Sequence, residues 1–342
     1  MELYLYLRRR AMFFIPQLIG ILLITFLVVR AIPGDPARFR AGPLMPAEGL
    51  ELIREQMGLD KPIYLQFVLY VRDVFRGDLG YSWYTGNPVM TDIKSRLPGT
   101  LGLIVLTFLL IFLIILPIAI KSVSVGKGIV VNVTRKVFFA YGMGAGAIPD
   151  FWCSLLLVYI FYVVLKWAAP PIGQLSLAMS PPTQITGNYI FDSLVTGNWS
   201  CLKSSLSHAL LPAITLAFIH GGGISKVAIV AANSIEKTGF IDFAKMCGLP
   251  AKKVQQYINR WIYLPVSTMT AITFGFLVGG IVLVEKVFSW GGFGQYAVEA
   301  VLYNDYSAIQ GVVVVSALLN LFVYIIVDLI YFWVDPRIKS LG

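Results

Sequence analysis

The sequence predicts an all-α polytopic membrane protein, and three observations lead to this fold class. Of its 342 residues, 57% are hydrophobic and only 13% are charged, which leaves too little polar surface for a soluble domain. Apolar runs near twenty residues recur along the chain, and a helix of that length crosses about 30 Å of hydrocarbon. The ten-residue alternating segments that are typical of a transmembrane β-barrel do not occur.

Six membrane spans are predicted from these apolar runs. The first follows three arginines, Arg8 to Arg10, and has no small-residue cleavage site, so we interpret it as a retained span. The third contains Pro149, where its helix is expected to begin or to kink. The predicted spans lie near residues 11–31, 99–120, 137–167, 208–230, 262–284 and 310–333.

The charges predict the orientation of these spans. With the N-terminus inside, the inner segments 1–10, 121–136, 226–261 and 335–342 carry net charges of +2, +4, +4 and +1. This excess matches the positive-inside rule and places both termini in the cytoplasm. It also explains the basic composition without a nucleic-acid partner, because no single basic face is formed. The outer segments are neutral or slightly acidic: 32–98, 168–207 and 286–308.

Two of the outer segments are long. In residues 32–98, apolar side chains such as Ile53, Met57, Phe67 and Tyr70 recur at helical spacing and predict two short amphipathic helices. Residues 168–207 are rich in Pro, Gly, Ser and Asn and are predicted to form a loop.

Catalytic motifs are absent from the sequence. It contains no phosphate-binding GxxxxGK[ST] loop, no nucleophile elbow and no HExxH, so the chain is predicted not to be an enzyme and not to hydrolyse ATP by itself. Cys153, Cys201 and Cys247 fall in different compartments, which argues against a disulfide or a metal site. His208 and His220 are interpreted as packing or helix-end polar groups. We therefore expect no catalytic residue, no metal and no cofactor in this chain.

Four ionisable residues lie in or beside the spans, where a charge is costly. Asp150, Lys166 and Glu285 fall near predicted span ends, and we expect them at the membrane interface. Asp328 lies deeper in the last span. It either faces other helices or a polar path, or sits near the inner interface if that span tilts.

The most polar stretch in the second half of the chain, residues 236–261, predicts a short helix, a turn and a second helix. Gly248 suits the C-terminal cap of the first helix, and Pro250 starts the second. The first helix either docks into a groove on a partner protein or lies on the inner leaflet. One face of it is predicted to carry the residues at i, i+3, i+4 and i+7: Phe240, Phe243, Ala244 and Cys247.

This segment, "GFIDFAKMCGLPAKKVQQYINRWIYLPV", resembles the coupling loop of ABC importer permeases of the dipeptide/oligopeptide/nickel family. Two positions depart from the family pattern: Cys247 replaces a usual lysine and Gly239 a usual acidic residue. The "IPGDP" motif and the long outer segment point to the first, B-type permease of the pair. Further family motifs follow in order: "IPGDP" (32–36), "RGDLGYS" (76–82), "RLPGT" (96–100), "IPDFWCSLLL" (148–157), "LLPAITLA" (210–217), "VEKVFSWGGFGQ" (284–295), "NDYSAIQG" (304–311) and "VDLIYFWVDPRI" (327–338).

The resemblance implies a type I ABC importer permease fold with six transmembrane helices and a cytoplasmic coupling helix, in the cell membrane. It implies a second homologous permease, two ATP-binding subunits that carry ATP and Mg, and an extracytoplasmic substrate-binding protein. Peptide is the first choice of substrate, with nickel or another small solute as an alternative. A secondary transporter without ATPases is an alternative of a different class, although the internal repeat typical of that class is absent.

The resemblance also assigns roles to residues and divides the chain into parts. The parts are 1–31, a cytoplasmic N-terminus with the first span; 32–98, an extracytoplasmic segment; and 99–342, the permease core with coupling loop 236–261. The residues expected to couple to the ATPase are Phe240, Ile241, Asp242, Phe243, Ala244, Lys245, Met246, Cys247, Gly248 and Leu249. Those expected to line the pathway or to pack between helices are Gly275, Gly279, Gly280 and Asp328.

Overall fold

The computed structural model describes residues 2–31, 36–41, 45–122 and 129–334, and within these ranges the chain is helical apart from loops and one isolated bridge. The first four residues of the "IPGDP" motif and the chain after residue 334 lie outside the described residues. The helices are α1 (Glu2–Ala31), α2 (Pro36–Ala41), α3 (Ala47–Gln56), α4 (Ile63–Phe75), α5 (Val89–Ser122), α6 (Ile129–Gly144), α7 (Asp150–Leu157, continued to Val164), α8 (Tyr189–Val195), α9 (Trp199–Glu236), α10 (Gly239–Met246), α11 (Ala251–Gly280), α12 (Val282–Val287), α13 (Phe293–Leu302) and α14 (Tyr306–Val334).

Five of the described helices, α1, α5, α9, α11 and α14, are long and apolar enough to cross a membrane. The α6–α7 pair makes a sixth if it is counted as one span, bent by 107°. The predicted number of spans is confirmed on this count, and several of the helices begin well before the predicted spans. Helix α5 begins at Val89, α9 at Trp199 and α11 at Ala251, all well before the apolar runs. The reason is that hydropathy marks only the membrane-crossing part, whereas the helices continue into polar flanks.

The break between α6 and α7 is centred on Pro149, as its position predicted. Pro149 adopts an extended conformation and caps the start of α7, with the Cys153 amide donating to its carbonyl at 3.1 Å. On the other side, the amide of Ile148 donates to the Ala145 carbonyl and closes the last turn of α6. Proline has no amide hydrogen and favours a kink or a break in a helix, and at Pro149 the extended backbone ends one helix and starts the next.

Residues Met1–Pro98 and Gly292–Phe322 form the first of two compact units. The two predicted amphipathic helices of the outer segment are present as α3 and α4. In this unit Phe26 of α1 packs against Phe67 and Tyr70 of α4, with ring centroids 5.5 and 5.9 Å apart. Burial of this aromatic cluster attaches the outer helix α4 to the first span.

Residues Gly99–Gly291 and Val323–Gly342 form the second unit, in which α9 is the central helix. It packs against α6, α8, α11 and the second half of α5. Glycines allow the closest of these approaches: a Cβ on Gly142 of α6 would lie 3.1 Å from the Gly222 carbonyl oxygen of α9. Small residues at such crossings let two helix backbones approach directly.

The long loop before α9 is organised around a buried carboxylate, Asp192 of α8. It accepts hydrogen bonds from the amides of Ile185, Thr186 and Gly187 at 3.2, 2.8 and 2.9 Å, and from the Thr186 hydroxyl at 2.7 Å. Burial disfavours the charged form, but the bonds from Thr186, Ile185 and Gly187 outweigh this cost. The pKa of Asp192 is therefore lowered from its ordinary value.

Glu285, which we expected near the membrane interface, has a side chain in α12 that is fully buried within the protein. It accepts a hydrogen bond of 2.5 Å from the Thr100 hydroxyl. Nearby, the indole of Trp290 donates to the Gly99 carbonyl at 3.1 Å. A polar network holds α12 against α5, because a buried carboxylate is tolerated only where it is hydrogen-bonded.

Candidate functional site

Helix α10 is a short helix held between two long ones, α9 and α11. Helix α9 ends at Glu236, where the Thr238 amide and hydroxyl both bond back to the Ile235 carbonyl, at 3.0 and 2.7 Å. The Thr238 carbonyl in turn accepts from the Ile241 amide at 3.0 Å and starts α10. Two residues therefore separate α9 from α10, which makes the connection short.

The other end of α10 is closed by a complete Schellman motif. Gly248 has φ +70°, and its amide donates to the Lys245 carbonyl at 3.0 Å. The Leu249 amide donates to the Ala244 carbonyl at 3.2 Å. This is the glycine cap that the sequence predicted, and it reverses the chain into Pro250, the N-cap of α11.

The two faces of α10 differ sharply in exposure. Ile241 is fully buried and Ala244 is 3% exposed, and both belong to the core that joins α9 and α11. On the opposite face Phe240, Phe243 and Met246 are exposed, Phe243 to 65%. We call these three residues, together with Cys247, the exposed ridge; they recur at i, i+3, i+6 and i+7.

The predicted face is therefore correct in part. Phe240, Phe243 and Cys247 do share a surface, but Ala244, which was expected beside them, is turned into the core. Ile241, which the helical pattern did not single out, is the main anchor. Apolar residues lie on more than one stripe of α10, and packing against the long helices decides which stripe is buried.

The ends of α10 carry charges of favourable sign, and one end packs on α11. Asp242 lies in the first turn and Lys245 in the last, which complements the helix dipole. The Phe240 ring meets Tyr257 of α11 edge to face, with centroids 5.5 Å apart. The exposed ridge is therefore held in place at its N-terminal end while its surface stays open.

A single core connects α10 to the long helices. Burial removes these side chains from water together, so α10 cannot move independently of α9 and α11 without opening the core. The described members of this core are Ile111, Ala119, Ala217, Ile224, Ala228, Ile229, Ala231, Ala232, Ile235, Ile241, Ala244, Val254, Ile258, Ile262 and Val266.

The three glycines predicted for the pathway or for helix packing lie near the far end of α11 from α10. Gly275 is about 36 Å along α11 from Ala251 at 1.5 Å per residue. Gly279 and Gly280 have no atom within 4 Å of the place that a Cβ would take, so they make no close helix contact within the described chain. Asp328 is buried at 6% exposure, which favours the alternative in which it faces other helices.

One pair of polar residues was not anticipated from the sequence. His220 of α9 places Nε2 3.2 Å from Oδ2 of Asp150, so His220 is not an isolated packing residue. Asp150 was expected at a membrane interface, but its partner lies inside the apolar part of α9, between Lys203 and Lys226. The two residues are seventy positions apart in the sequence, and Asp150 comes directly after the break at Pro149.

Two family models match the chain. The model described as "Binding-protein-dependent transport system inner membrane component" matches residues 130–340. The model described as "Binding-prot-dependent transport system membrane comp, N-term" matches residues 3–104. Together they cover α10, the outer helices and all the long helices except the second half of α5, which lies in the unmatched residues 105–129.

Curated relatives align along nearly the whole chain. A probable D,D-dipeptide transport system permease protein of Escherichia coli K12 is 36% identical over 98% of both chains. A dipeptide transport system permease protein of Alkalihalophilus pseudofirmus is 32% identical over 98% of this chain and 99% of its own. A di/tripeptide transport system permease protein of Pseudomonas aeruginosa is 30% identical over 98% of both.

These matches confirm the family that the motifs indicated, and the helical architecture agrees with it. They also agree with the prediction that the chain is a transport permease and not an enzyme. The chain belongs to the binding-protein-dependent transport system inner membrane components, and it is a multi-pass membrane permease with the type I ABC importer fold.

Proposed function

We propose that this chain is one permease half of an ATP-driven peptide importer. A second homologous permease completes the pathway, and two ATP-binding subunits carry ATP and Mg. An extracytoplasmic binding protein delivers the substrate. The names of the relatives, which transport dipeptides, D,D-dipeptides or di/tripeptides, support peptide as the substrate class.

The exposed ridge of α10 is the observation that carries this proposal. Phe240, Phe243 and Met246 expose large apolar side chains on a helix whose other face is anchored in the core. Such a ridge matches the helix-in-groove mode, in which an amphipathic helix lays apolar anchors into a partner's groove. We assign the groove to an ATP-binding subunit, because the chain contains no phosphate-binding motif of its own.

Coupling follows from the way α10 is held. When ATP binding closes the two ATP-binding subunits, the seated ridge moves with them. Ile241 and Ala244 transmit that displacement to α9 and α11 through the shared core. The transporter then changes between inward-open and outward-open states, and nucleotide and loaded binding protein both bias this equilibrium.

The orientation is the second part of the proposal. The basic inner segments support a cytoplasmic position for both termini and for α10. Residues 32–98 then lie outside, where α3 and α4 offer a surface to the binding protein. Gly279 and Gly280, which make no close contact within the described chain, face the second permease or the pathway. The part 99–342 is the permease core.

The proposal is tested by purifying a tagged chain from its own host in mild detergent and identifying the proteins that accompany it. We expect a homologous permease and one or two P-loop ATPases in stoichiometric amounts. If a binding protein co-purifies, its ligand identifies the substrate, and a nickel complex in place of a peptide would correct the substrate class. A chain that repeatedly purifies from its own host without any of these partners contradicts the importer.

A matched pair of substitutions tests the assignment of the ridge. Phe243→Asp places a charge in the proposed interface, and we expect the ATP-binding subunits to be lost from the purified complex. Phe75→Asp is the control, since Phe75 of α4 is equally exposed, at 65%. It is expected to retain those subunits. Equal retention in both variants would remove α10 from the interface.

A further inference from the structure

The Asp150–His220 pair lies at the break between α6 and α7. Asp150 is the first residue of α7, directly after the bend of 107° at Pro149. His220 Nε2 lies 3.2 Å from Asp150 Oδ2, and the two side chains remain 20% and 26% exposed, respectively. The two side chains therefore contact each other directly, and each keeps part of its surface exposed.

The pair lies within the depth of the hydrocarbon. At 1.5 Å per residue, His220 is about 9 Å along α9 from Lys226 and about 26 Å from Lys203. These two lysines bound an apolar length that matches the thickness of a bilayer core. Ionisable groups at such a depth almost always face a bundle interior or a water-filled cavity rather than lipid. An edge that is accessible at this depth is therefore expected to face a polar path.

The backbone beside Asp150 leaves room for a ligand. Gly144 and Gly146 have no atom within 4 Å of the place that a Cβ would take, and Ala147 is exposed. On the other side, Gly142 packs directly on Gly222, which is two residues from His220. The pair thus lies on a tightly packed helix crossing and borders open space formed by small residues.

The chemistry of the pair selects a cation. An ionised carboxylate can only accept, so the pair is satisfied by the His220 tautomer whose Nε2–H donates to Oδ2. Within the described part of the chain no hydrogen-bond donor reaches the other oxygen, Oδ1 of Asp150. An oriented carboxylate with one oxygen available is suited to a primary ammonium group, through a charge-assisted hydrogen bond.

We propose that Asp150, oriented by His220, binds the α-ammonium group of the peptide as it passes through the membrane. This inference rests on the proposed peptide import. Every unmodified peptide carries that group whatever its side chains are, so one carboxylate serves many sequences. Asp150 is the contact residue, and His220 is a positioning residue that fixes the carboxylate.

Photo-crosslinking of the complete transporter tests the location. The probe is the dipeptide alanyl-benzoylphenylalanine, taken up by cells and cross-linked during transport, and the labelled residues are mapped by mass spectrometry. We expect label within residues 141–154 or 214–226. Label found only elsewhere in the chain overturns the inference. If the wild-type transporter does not take up the probe or dialanine, the proposed peptide import itself fails, which is a different result.

Uptake of radiolabelled dialanine tests the chemistry. Asp150→Asn is expected to lower uptake at saturating binding protein by about tenfold or more, the size of a lost charge-assisted hydrogen bond. Asp150→Glu keeps the charge and is expected to lose less, and His220→Gln is expected to fall between the two. Detergent-extracted complexes are compared for subunit content, so that a folding defect is recognised. Wild-type uptake in Asp150→Asn contradicts the proposal.

Discussion

The hydroxyl of Thr100 donates a hydrogen bond of 2.5 Å to Oε1 of Glu285, and Glu285 has no exposed surface. The two residues are 185 positions apart, so this bond ties the α12 segment to α5 within the second unit. A buried carboxylate is costly without such partners, and the bond therefore constrains where α12 lies.

A double-mutant cycle on this pair is expected to show strong coupling. Glu285→Leu and Thr100→Val should each lower the stability of the purified protein by roughly 1–3 kcal/mol, because each removes one side of a buried hydrogen bond. The double variant should lose less than the sum of the two. Thermal unfolding in detergent provides the measurement, and strictly additive losses would show that the bond contributes nothing specific.

The cap of α10 requires glycine at residue 248 for its backbone conformation and not because a side chain would lack room there. Gly248 has φ +70° and no atom within 4 Å of the place that a Cβ would take, so a side chain there meets strain without a clash. Gly248→Val should reduce substrate uptake several-fold while membrane insertion stays normal, since a left-handed conformation costs an ordinary residue about 1–2 kcal/mol.

Gly248→Asn is the matched variant for this cap, because asparagine tolerates the left-handed region. It should retain more uptake than Gly248→Val at equal expression. If both variants transport equally, the conformation at residue 248 does not control coupling.

Ile241 and Phe243 should respond differently to truncation, although they are two residues apart. Ile241 is fully buried and Phe243 is largely exposed. Ile241→Ala should lower stability by about 2–4 kcal/mol through lost packing, and Phe243→Ala should barely change it. Unfolding of the isolated chain distinguishes them, and equal losses would contradict the anchor and ridge assigned to α10.

The loop around Asp192 should open in acid. Its folded-state pKa is lowered from the ordinary value of 3.8, so its contribution is fully present above that value and is lost as the pH falls through the folded-state pKa. Hydrogen exchange at the amides of Ile185, Thr186 and Gly187, corrected for intrinsic rates, should show constant protection above about pH 5 and a decline below about pH 4.

Asp192→Asn provides the control for this acid effect. The amide has only one acceptor oxygen and no charge, so protection should be weaker at neutral pH and should not vary over the acidic range. If protection in the variant declined over the same pH range as in the wild type, the titrating group would be a residue other than Asp192.

The glycine crossing of α6 and α9 should not accept a side chain. A Cβ on Gly222 would lie 2.7 Å from the Cβ of Ala145, closer than side chains approach in practice. Gly222→Val should therefore lower the unfolding temperature by several degrees. Gly279→Val, at a position with open space, should leave the unfolding temperature of the isolated chain unchanged. The reverse order would contradict this packing.

Features that are set by a residue's own backbone preference were predicted from the sequence, whereas contacts between distant segments were not. Gly248 and Pro250 set the ends of α10 and α11 through their own backbone preferences, and both were found from the sequence. The burial of Ile241 and Ala244 in the core depends on where α9 and α11 lie, which helical periodicity alone does not contain. The Asp150–His220 and Thr100–Glu285 pairs join distant segments, so no local pattern reveals them.

In the proposed coupling, helix α9 would act as a rigid arm between α10 and the Asp150–His220 pair. From Pro212, where the helix lacks one backbone hydrogen bond, to Glu236 beside α10, its length is about 36 Å at 1.5 Å per residue. A tilt of about 10° about Pro212 would move the α10 end by about 6 Å. His220 lies about a third of the way along this arm, so the same tilt would move the Asp150 contact by only about 2 Å. Under the proposed coupling, a large displacement of α10 on the ATPase side would therefore become a small displacement at Asp150, on the scale at which a hydrogen bond is made or broken.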